Sequence, residues 1–493
     1  MSISSAIKSI QDIMRKDAGV DGDAQRLGQL SWLLFLKIFD AQEEELEFEL
    51  SNYKAPIPKQ YLWRNWAADS EGQTGDELLG FINNELIPSL KELRAPIKTN
   101  PRGYVVREAF SDAFNYMKNG TLLRQVVNKL NEIDFTNSAE RHQFGDLYEQ
   151  ILKDLQSAGN AGEFYTPRAV TRFVVQMINP QLGESILDPA CGTGGFLACS
   201  VDILKQQVKN NDDQLHLQQS VRGVEKKQLP HLLCTTNMML HGIEVPQQIR
   251  HGNTLNKPLS SLDIEDMVDV VISNPPFGGT EEDGIEKNFP SEYQTRETAD
   301  LFLQYIIEVL KDQGRAAVVL PDGTLFGEGV KTKIKKLLLD ECNLHTLVRL
   351  PNSVFAPYTS IKTNILFFEK GAPTKDIWYY EVPLPAGVKA FNKTKPMTLE
   401  DFDACAAWWG EGKSIKAKSK RKNRQQNEFA WQVSIDDIVA RNYNLDIKNP
   451  HVGEQVSHDP KVLLADYAKQ QVEIQQLRDQ LKSILANALA GKA

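Results

Sequence analysis

The rhythm of hydrophobic positions changes twice along the chain. Over the first 145 residues apolar side chains recur every three or four positions, as in Ile3, Ile7, Ile10 and Met14 and again in Leu27, Leu30, Leu34 and Ile38. That period predicts helices with one buried stripe. Turn signals near Pro56, Pro58 and Asn119-Gly120 divide the region into several helices. The acidic run Glu43, Glu44, Glu45, Glu47 and Glu49 reads as a solvated helix face. Residues 1–145 are therefore expected to form a helical N-terminal domain.

Beyond residue 160 short apolar runs alternate with helical stretches, the pattern of βαβ units around a parallel sheet. Strands are expected at Ser185–Leu187, Val221–Glu225, Ile249–His251, Asp269–Ser273, Arg315–Leu320, Thr346–Leu350 and Asn364–Phe368. Helices are expected between them, at Pro167–Ile178 and Ala299–Lys311 among others, while polar Lys209–Ser220 reads as an inserted loop. The fold class is α/β: a Rossmann-like core with a mostly parallel seven-stranded sheet, within a domain spanning residues 146–450.

After Gly371 the pattern weakens. Lys413–Arg424, KSIKAKSKRKNR, reads as a surface loop, with phosphate contact as the functional alternative. The last stretch is periodic again. Leu463, Tyr467, Gln470, Ile474, Leu477, Leu481, Ile484 and Ala488 alternate steps of four and three. This is a heptad seam with one polar position, and over residues 451–493 it predicts a helix for partner contact.

Composition narrows the class. The net charge of −9 does not suit a chain that grips nucleic acid over its whole surface, so any basic surface is local or a partner supplies part of the grip. Cys191, Cys199, Cys234, Cys342 and Cys405 are odd in number and form no Cys-x-x-Cys pair. That argues against a disulfide framework and against a zinc site, and no metal is expected. The amphipathic MSISSAIKSIQDIMRKD lacks a signal-like apolar run, and Trp32–Phe39 is too short to span a bilayer and is broken by Lys37. A cytoplasmic protein without membrane contact is expected.

Two motifs carry chemistry. Asp188 to Phe196, DPACGTGGF, follows one expected strand and opens a helix. Gly192, Gly194 and Gly195 allow a tight turn and close approach to a ligand, while Asp188 at the strand end can hold an ammonium group. The motif lacks the third glycine of a pyrophosphate fingerprint and begins with an acid, which favours S-adenosylmethionine over a dinucleotide. Glu225 ends the next strand, where an acid binds ribose hydroxyls, although it lies 37 residues on (225 − 188) rather than the usual ~20.

The second motif is Asn274-Pro275-Pro276-Phe277, after the buried-strand pattern DVVIS. Successive prolines fix the backbone and remove two donors. The Asn274 side chain and a backbone carbonyl can then accept both hydrogens of an amino group. An exocyclic amine is a poor nucleophile because its lone pair is delocalised, and two acceptors localise that pair. Phe277 offers a ring on which an extruded base can stack.

With GEFYTPRAV upstream and GRAAVVLPDGTLF downstream, these residues resemble the modification subunit of type I restriction–modification systems over nearly the whole chain. The resemblance implies site-specific methyl transfer from S-adenosylmethionine to adenine N6 of DNA. It also implies a specificity subunit flanked by two copies of this chain, and a restriction subunit in the full complex. Glu163, Phe164, Tyr165, Thr166 and Pro167 are expected to line the cofactor site, and so are Ala190 and Thr193 with the glycines. Asn253 stands where related enzymes carry an acid near the cofactor's adenine; it keeps an acceptor but no charge. Cys191, inside the cofactor loop, is read as a small packing residue rather than a nucleophile. Methylation of RNA guanine or protein glutamine, and a non-catalytic nucleotide-binding scaffold, are the competing readings; neither accounts for the helical domain, the tail and the paired acceptors together.

Overall fold

The helix Asp23–Glu49 is buried on nearly all sides between Leu27 and Glu43, so it runs through the N-terminal core rather than along its surface. Trp32 and Phe35 pack edge-on against Phe110 of the helix Pro101–Phe110. Lys37, the one cation in the apolar run, donates to the Leu130 carbonyl at 2.6 Å, and burial lowers its pKa to about 8. The acidic run is not uniformly solvated as expected. Glu43 is fully buried, 2.6 Å from Arg102 and bonded to the Tyr53 hydroxyl, because the helix turns that position inward.

The computed structural model describes residues 3–136, 148, 166–356, 359, 361–392, 394–410, 423–451, 467, 471–472 and 474–481. Described residues up to Ile447 form one compact unit, and those from Lys448 form another. The first contains the helical region and the sheet. The seam positions Leu463, Gln470, Ile484 and Ala488 lie outside the described residues; Tyr467, Ile474, Leu477 and Leu481 are helical and exposed.

The seven expected strands are present as β1 (Ile186–Asp188), β2 (Val221–Glu225), β3 (Ile249–His251), β4 (Val268–Ser273), β5 (Leu310–Pro321), β6 (Cys342–Arg349) and β7 (Thr363–Lys370). Two further strands, β8 (Asp376–Glu381) and β9 (Ala430–Ser434), extend the sheet. Its order is β3-β2-β1-β4-β5-β7-β6-β8-β9. Strands β1 to β5 pair in parallel, while β7 lies antiparallel between β5 and β6. Val270 and Ile272 face one apolar cluster with the helices Arg168–Ile178 and Gly195–Lys205; Val271 faces another with Thr298–Val309 and Val330–Glu341. Burial on both faces explains why these strands read as unbroken apolar runs.

Two local expectations change. Asn211–Gln219 is a helix, capped by the Asn210 side chain on the Asp213 N–H, and not a loop. Of the basic run, Arg424 is buried: it stacks on Trp408 and Trp409 and donates to Thr346 Oγ1, so it anchors a strand connection and does not face phosphate. Residues 413–422 lie outside the described residues. The helix Gln228–Leu240 is buried on two sides. Leu232, Leu233, Met239 and Leu240 join the N-terminal core, and Cys234 and Met238 join the sheet's core.

Candidate active site

The chain reverses direction across the sheet between β1 and β4, which lie side by side. Their carboxyl ends flank the crevice where open α/β sheets bind ligands. Asp188 ends β1 and Ser273 ends β4, and the Ser273 hydroxyl donates to Asp188 Oδ1 at 2.8 Å. The Ala190 N–H donates to the same oxygen at 3.2 Å. Asp188 is almost fully buried, and that burial raises its pKa to about 7 against the opposing pull of these two donors. A carboxylate kept from water in this way is suited to an arriving cation.

The glycine loop is held from below. Gly192 and Gly194 have φ of +53° and +83°, the left-handed region that glycine enters without strain. A Cβ on Gly194 would lie 2.7 Å from Cys234 Sγ, whereas a Cβ on Gly192 would meet nothing within 4 Å. Gly192 therefore faces open space at the crevice. A side chain on Gly194 would face the helix below. Asn237 donates to the Thr193 carbonyl at 3.1 Å, and Gly195 starts the helix Gly195–Lys205. Glu225 accepts from the Gly192 N–H at 2.9 Å and the Lys227 N–H at 2.8 Å, so it braces the glycine loop. Cys191 is buried in this packing; a hydrogen bond to Cys234, with burial, keeps its thiol protonated.

Asn274 follows directly on β4. Its Nδ2 donates to Thr166 Oγ1 at 2.8 Å, and its buried Oδ1 has no partner among the described residues. A buried acceptor without a donor costs about 1–3 kcal/mol, so an unused one beside a crevice marks a place for a ligand donor. Pro275 is buried and lacks an N–H of its own. Phe277 is only 7% exposed and packs edge-to-face on Phe355 with centroids 6.3 Å apart. Phe355 fixes the ring in place at the foot of the loop that follows.

Thr166 was expected beside the cofactor; the structure sets it against Asn274. Pro167 precedes the helix Arg168–Ile178, whose Thr171 lies under Gly195. Glu163, Phe164 and Tyr165 lie outside the described residues. Asn253 Oδ1 accepts from the Leu255 N–H at 3.0 Å, and its Nδ2 donates to Glu281 at 3.1 Å. Sequence reasoning missed three partners: Ser273, Glu281 and the contact of Thr166 with Asn274. Ser273 is adjacent to the recognised motif, but nothing in TEEDG distinguishes Glu281 from its acidic neighbours.

The N-6 DNA methylase family matches residues 139–459, and the HsdM N-terminal domain matches residues 3–130. The chain is 73% identical over 492 residues to the type I restriction enzyme EcoEI methylase subunit of Escherichia coli, covering 100% of this chain and 99% of that one. The chain belongs to the type I restriction methylase subunits. Its activity is that of an adenine-specific N6 DNA methyltransferase, and its place is as the modification subunit of a type I restriction–modification complex. A modification subunit of a putative type I restriction enzyme from Vibrio vulnificus shares 44% identity and the fold, with a TM-score of 0.81 over 92% of this chain and 98% of that one. A chain from a type I assembly solved to explain its complex formation and conformational transition gives a TM-score of 0.82 at 38% identity, over 98% of each.

Proposed function

We propose that the crevice between β1 and β4 is the methyl-transfer site, with the cofactor on the β1–β2 side and the target adenine at Asn274. The unpartnered Asn274 Oδ1 is the observation that carries this reading. Thr166 holds the amide so that this oxygen is presented. Adenine N6 gives one hydrogen to Asn274 Oδ1 and the other to the Pro275 carbonyl. The nitrogen is drawn toward a tetrahedral geometry and its lone pair becomes available. S-adenosylmethionine, when bound, supplies the methyl group as an electrophile on sulfur. Neither acceptor is a strong base, so both hold the amine in place, and the surplus proton leaves to water once the nitrogen is methylated.

The residues fit that cofactor. Asp188 is a buried carboxylate for its ammonium group, Gly192 meets no protein atom on its open side, and Glu225 ends β2, where an acid binds ribose hydroxyls. Ala190, Thr193, Gly194 and Gly195 shape the turn, with Pro167 before the helix that supports it; by family resemblance Glu163, Phe164 and Tyr165 also contact the cofactor. Phe277 and the rigid Pro275-Pro276 turn form the wall against which the extruded base stacks.

Asn274→Ala tests the reading. Methyl transfer to DNA should fall by at least ~10², the size of a lost transition-state hydrogen bond, with cofactor binding unchanged by calorimetry. Transfer at the wild-type rate would overturn it.

The partners follow the family: DNA, a specificity subunit flanked by two copies of this chain, and a restriction subunit, all in the cytoplasm. Among the described residues no helix is long and apolar enough to cross a membrane. The exposed Tyr467, Ile474, Leu477 and Leu481 suit the seam to helices of the specificity subunit. Leu477→Asp with Leu481→Asp should abolish co-elution with that subunit and site-specific methylation while sparing cofactor binding. Assembly by the double variant would move the contact elsewhere.

A further inference from the structure

One buried carboxylate belongs to neither motif and touches both halves of the site. Glu281 lies in the loop that follows Phe277 and is 8% exposed. Its Oε2 accepts from Lys226 Nζ at 3.2 Å and from Asn253 Nδ2 at 3.1 Å. Its Oε1 accepts from Thr298 Oγ1 at 3.2 Å, and the Thr298 backbone N–H donates to the Gly279 carbonyl at 3.1 Å. Lys226 is the neighbour of Glu225 at the end of β2, and Asn253 follows β3. Thr298 begins the helix Thr298–Val309 and clamps Gly279, two residues after Phe277.

We infer that Glu281 is a positioning residue that joins the cofactor side of the crevice to the loop carrying the base-stacking ring, so that cofactor and extruded base bind cooperatively. This rests on the reading of Asn274 and Phe277 proposed above. The loop after Asn274-Pro275-Pro276-Phe277 holds three glycines, Gly278, Gly279 and Gly284, two of them with positive φ. It has little intrinsic stiffness, and its position depends on what it is tied to. Two carboxylates tie it to the cofactor side: surface Glu282 reaches Lys226 Nζ at 3.0 Å, while buried Glu281 reaches both Lys226 and Asn253. A carboxylate accepts at both oxygens, so it can bind the amide of Asn253 and the hydroxyl of Thr298 at once. No neutral side chain of the same length offers two acceptor atoms. Anything that settles Lys226 and Asn253, such as a nucleoside seated between Glu225 and Asn253, then settles the loop, and by linkage a seated base favours the nucleoside equally.

The test uses the chain assembled with its specificity subunit and a recognition duplex carrying 2-aminopurine at the target adenine, whose fluorescence rises when the base leaves the stack. S-adenosylhomocysteine should increase that signal in the wild-type complex and tighten the duplex, by a coupling on the order of tenfold. In Glu281→Ala the increase should vanish, while affinity for S-adenosylhomocysteine without DNA stays within about threefold of wild type; a coupling can be lost without loss of either binding alone. Absence of the increase in the wild type, or its persistence in Glu281→Ala, overturns the inference. Thr298→Val covers the case in which Glu281→Ala does not fold. It removes the hydroxyl that Glu281 Oε1 accepts from and leaves the Asn253 contact in place, so the coupling should fall while affinity for S-adenosylhomocysteine alone is kept; coupling at the wild-type level there also overturns the inference. Asn274→Ala run alongside separates the two readings, because retained transfer there defeats the amine site, whereas retained coupling in Glu281→Ala defeats only the joint.

Discussion

The two sides of the crevice stand at the carboxyl ends of neighbouring strands of one sheet and are built on opposite terms. On the cofactor side the three polar residues at the strand ends are already tied: Asp188 holds Ser273 and Ala190, Glu225 holds Gly192 and Lys227, and Asn253 holds Leu255 and Glu281. On the amine side Asn274 keeps its acceptor unused. The difference matches the two tasks. A binding surface gains from being fixed before its ligand arrives, since a preformed loop spends no ordering entropy on binding. A reacting centre gains from groups satisfied only when the reacting atom is present, because interactions made in the ground state do not lower the barrier. On this view damage to the cofactor side acts through the loop's shape, and damage to the amine side acts on rate.

The sharpest way to break this contrast is to disturb the loop from below. Gly194→Val places a Cβ against Cys234 Sγ at a positive φ, and should abolish cofactor binding and lower the melting temperature together. Gly192→Ala, whose Cβ meets no protein atom but points into the crevice at a positive φ, should weaken the cofactor while lowering the melting temperature far less. Equal losses in both, measured by calorimetry and thermal melting, would show that the loop's packing is not what prepares it. A smaller effect is expected on the other side. Thr166→Val removes the partner of Asn274 Nδ2 and frees the amide to turn, and should slow transfer roughly tenfold, the order of one hydrogen bond, with cofactor affinity unchanged. A change in affinity without a change in rate would return Thr166 to the cofactor side.

The mildest test is pH. Burial raises the Asp188 pKa from 3.8 to about 7, and a cationic ligand binds the ionised form. Cofactor affinity should therefore weaken below that pKa, approaching about tenfold per pH unit with release of one proton on binding, and weaken again above about pH 8, where the ligand's α-ammonium loses its proton. Asp188→Asn should flatten the profile and lower the plateau. Stability of the unliganded chain carries the opposite sign. A carboxyl whose folded pKa is raised contributes stability below its unfolded pKa and loses it as pH rises through the folded value. Between about pH 4 and 7 this group should thus make the free protein less stable with increasing pH.

The legibility of the fold followed burial. Strands β1 to β7 and the helices around them could be read because both sheet faces are covered, leaving continuous apolar runs. Strands β8 and β9 escaped because they are separated by a long connection and secured by aromatic packing. Tyr379 of β8 stacks on Trp431 of β9 with centroids 5.4 Å apart, a contact across some fifty residues that no local period records. Asn211–Gln219 escaped because a helix with one buried residue, Leu217, has no apolar stripe to count.

For the site, the sequence by itself determined the chemistry on offer. Glycines at a strand-to-helix turn, an acid at each of two strand ends and Asn-Pro-Pro-Phe after a buried strand are local patterns, and their order along the chain was enough to identify the class of reaction. Tertiary structure decided which groups are free to act. It brought Thr166 to Asn274 across 108 residues and Ser273 to Asp188 across 85, so that the amide is held and the carboxyl is buried. It turned Gly194 toward a helix and Gly192 toward the crevice, and it folded Glu281 back onto Asn253. The physical reason is that hydrogen-bond satisfaction and burial depend on neighbours brought together only by the sheet order.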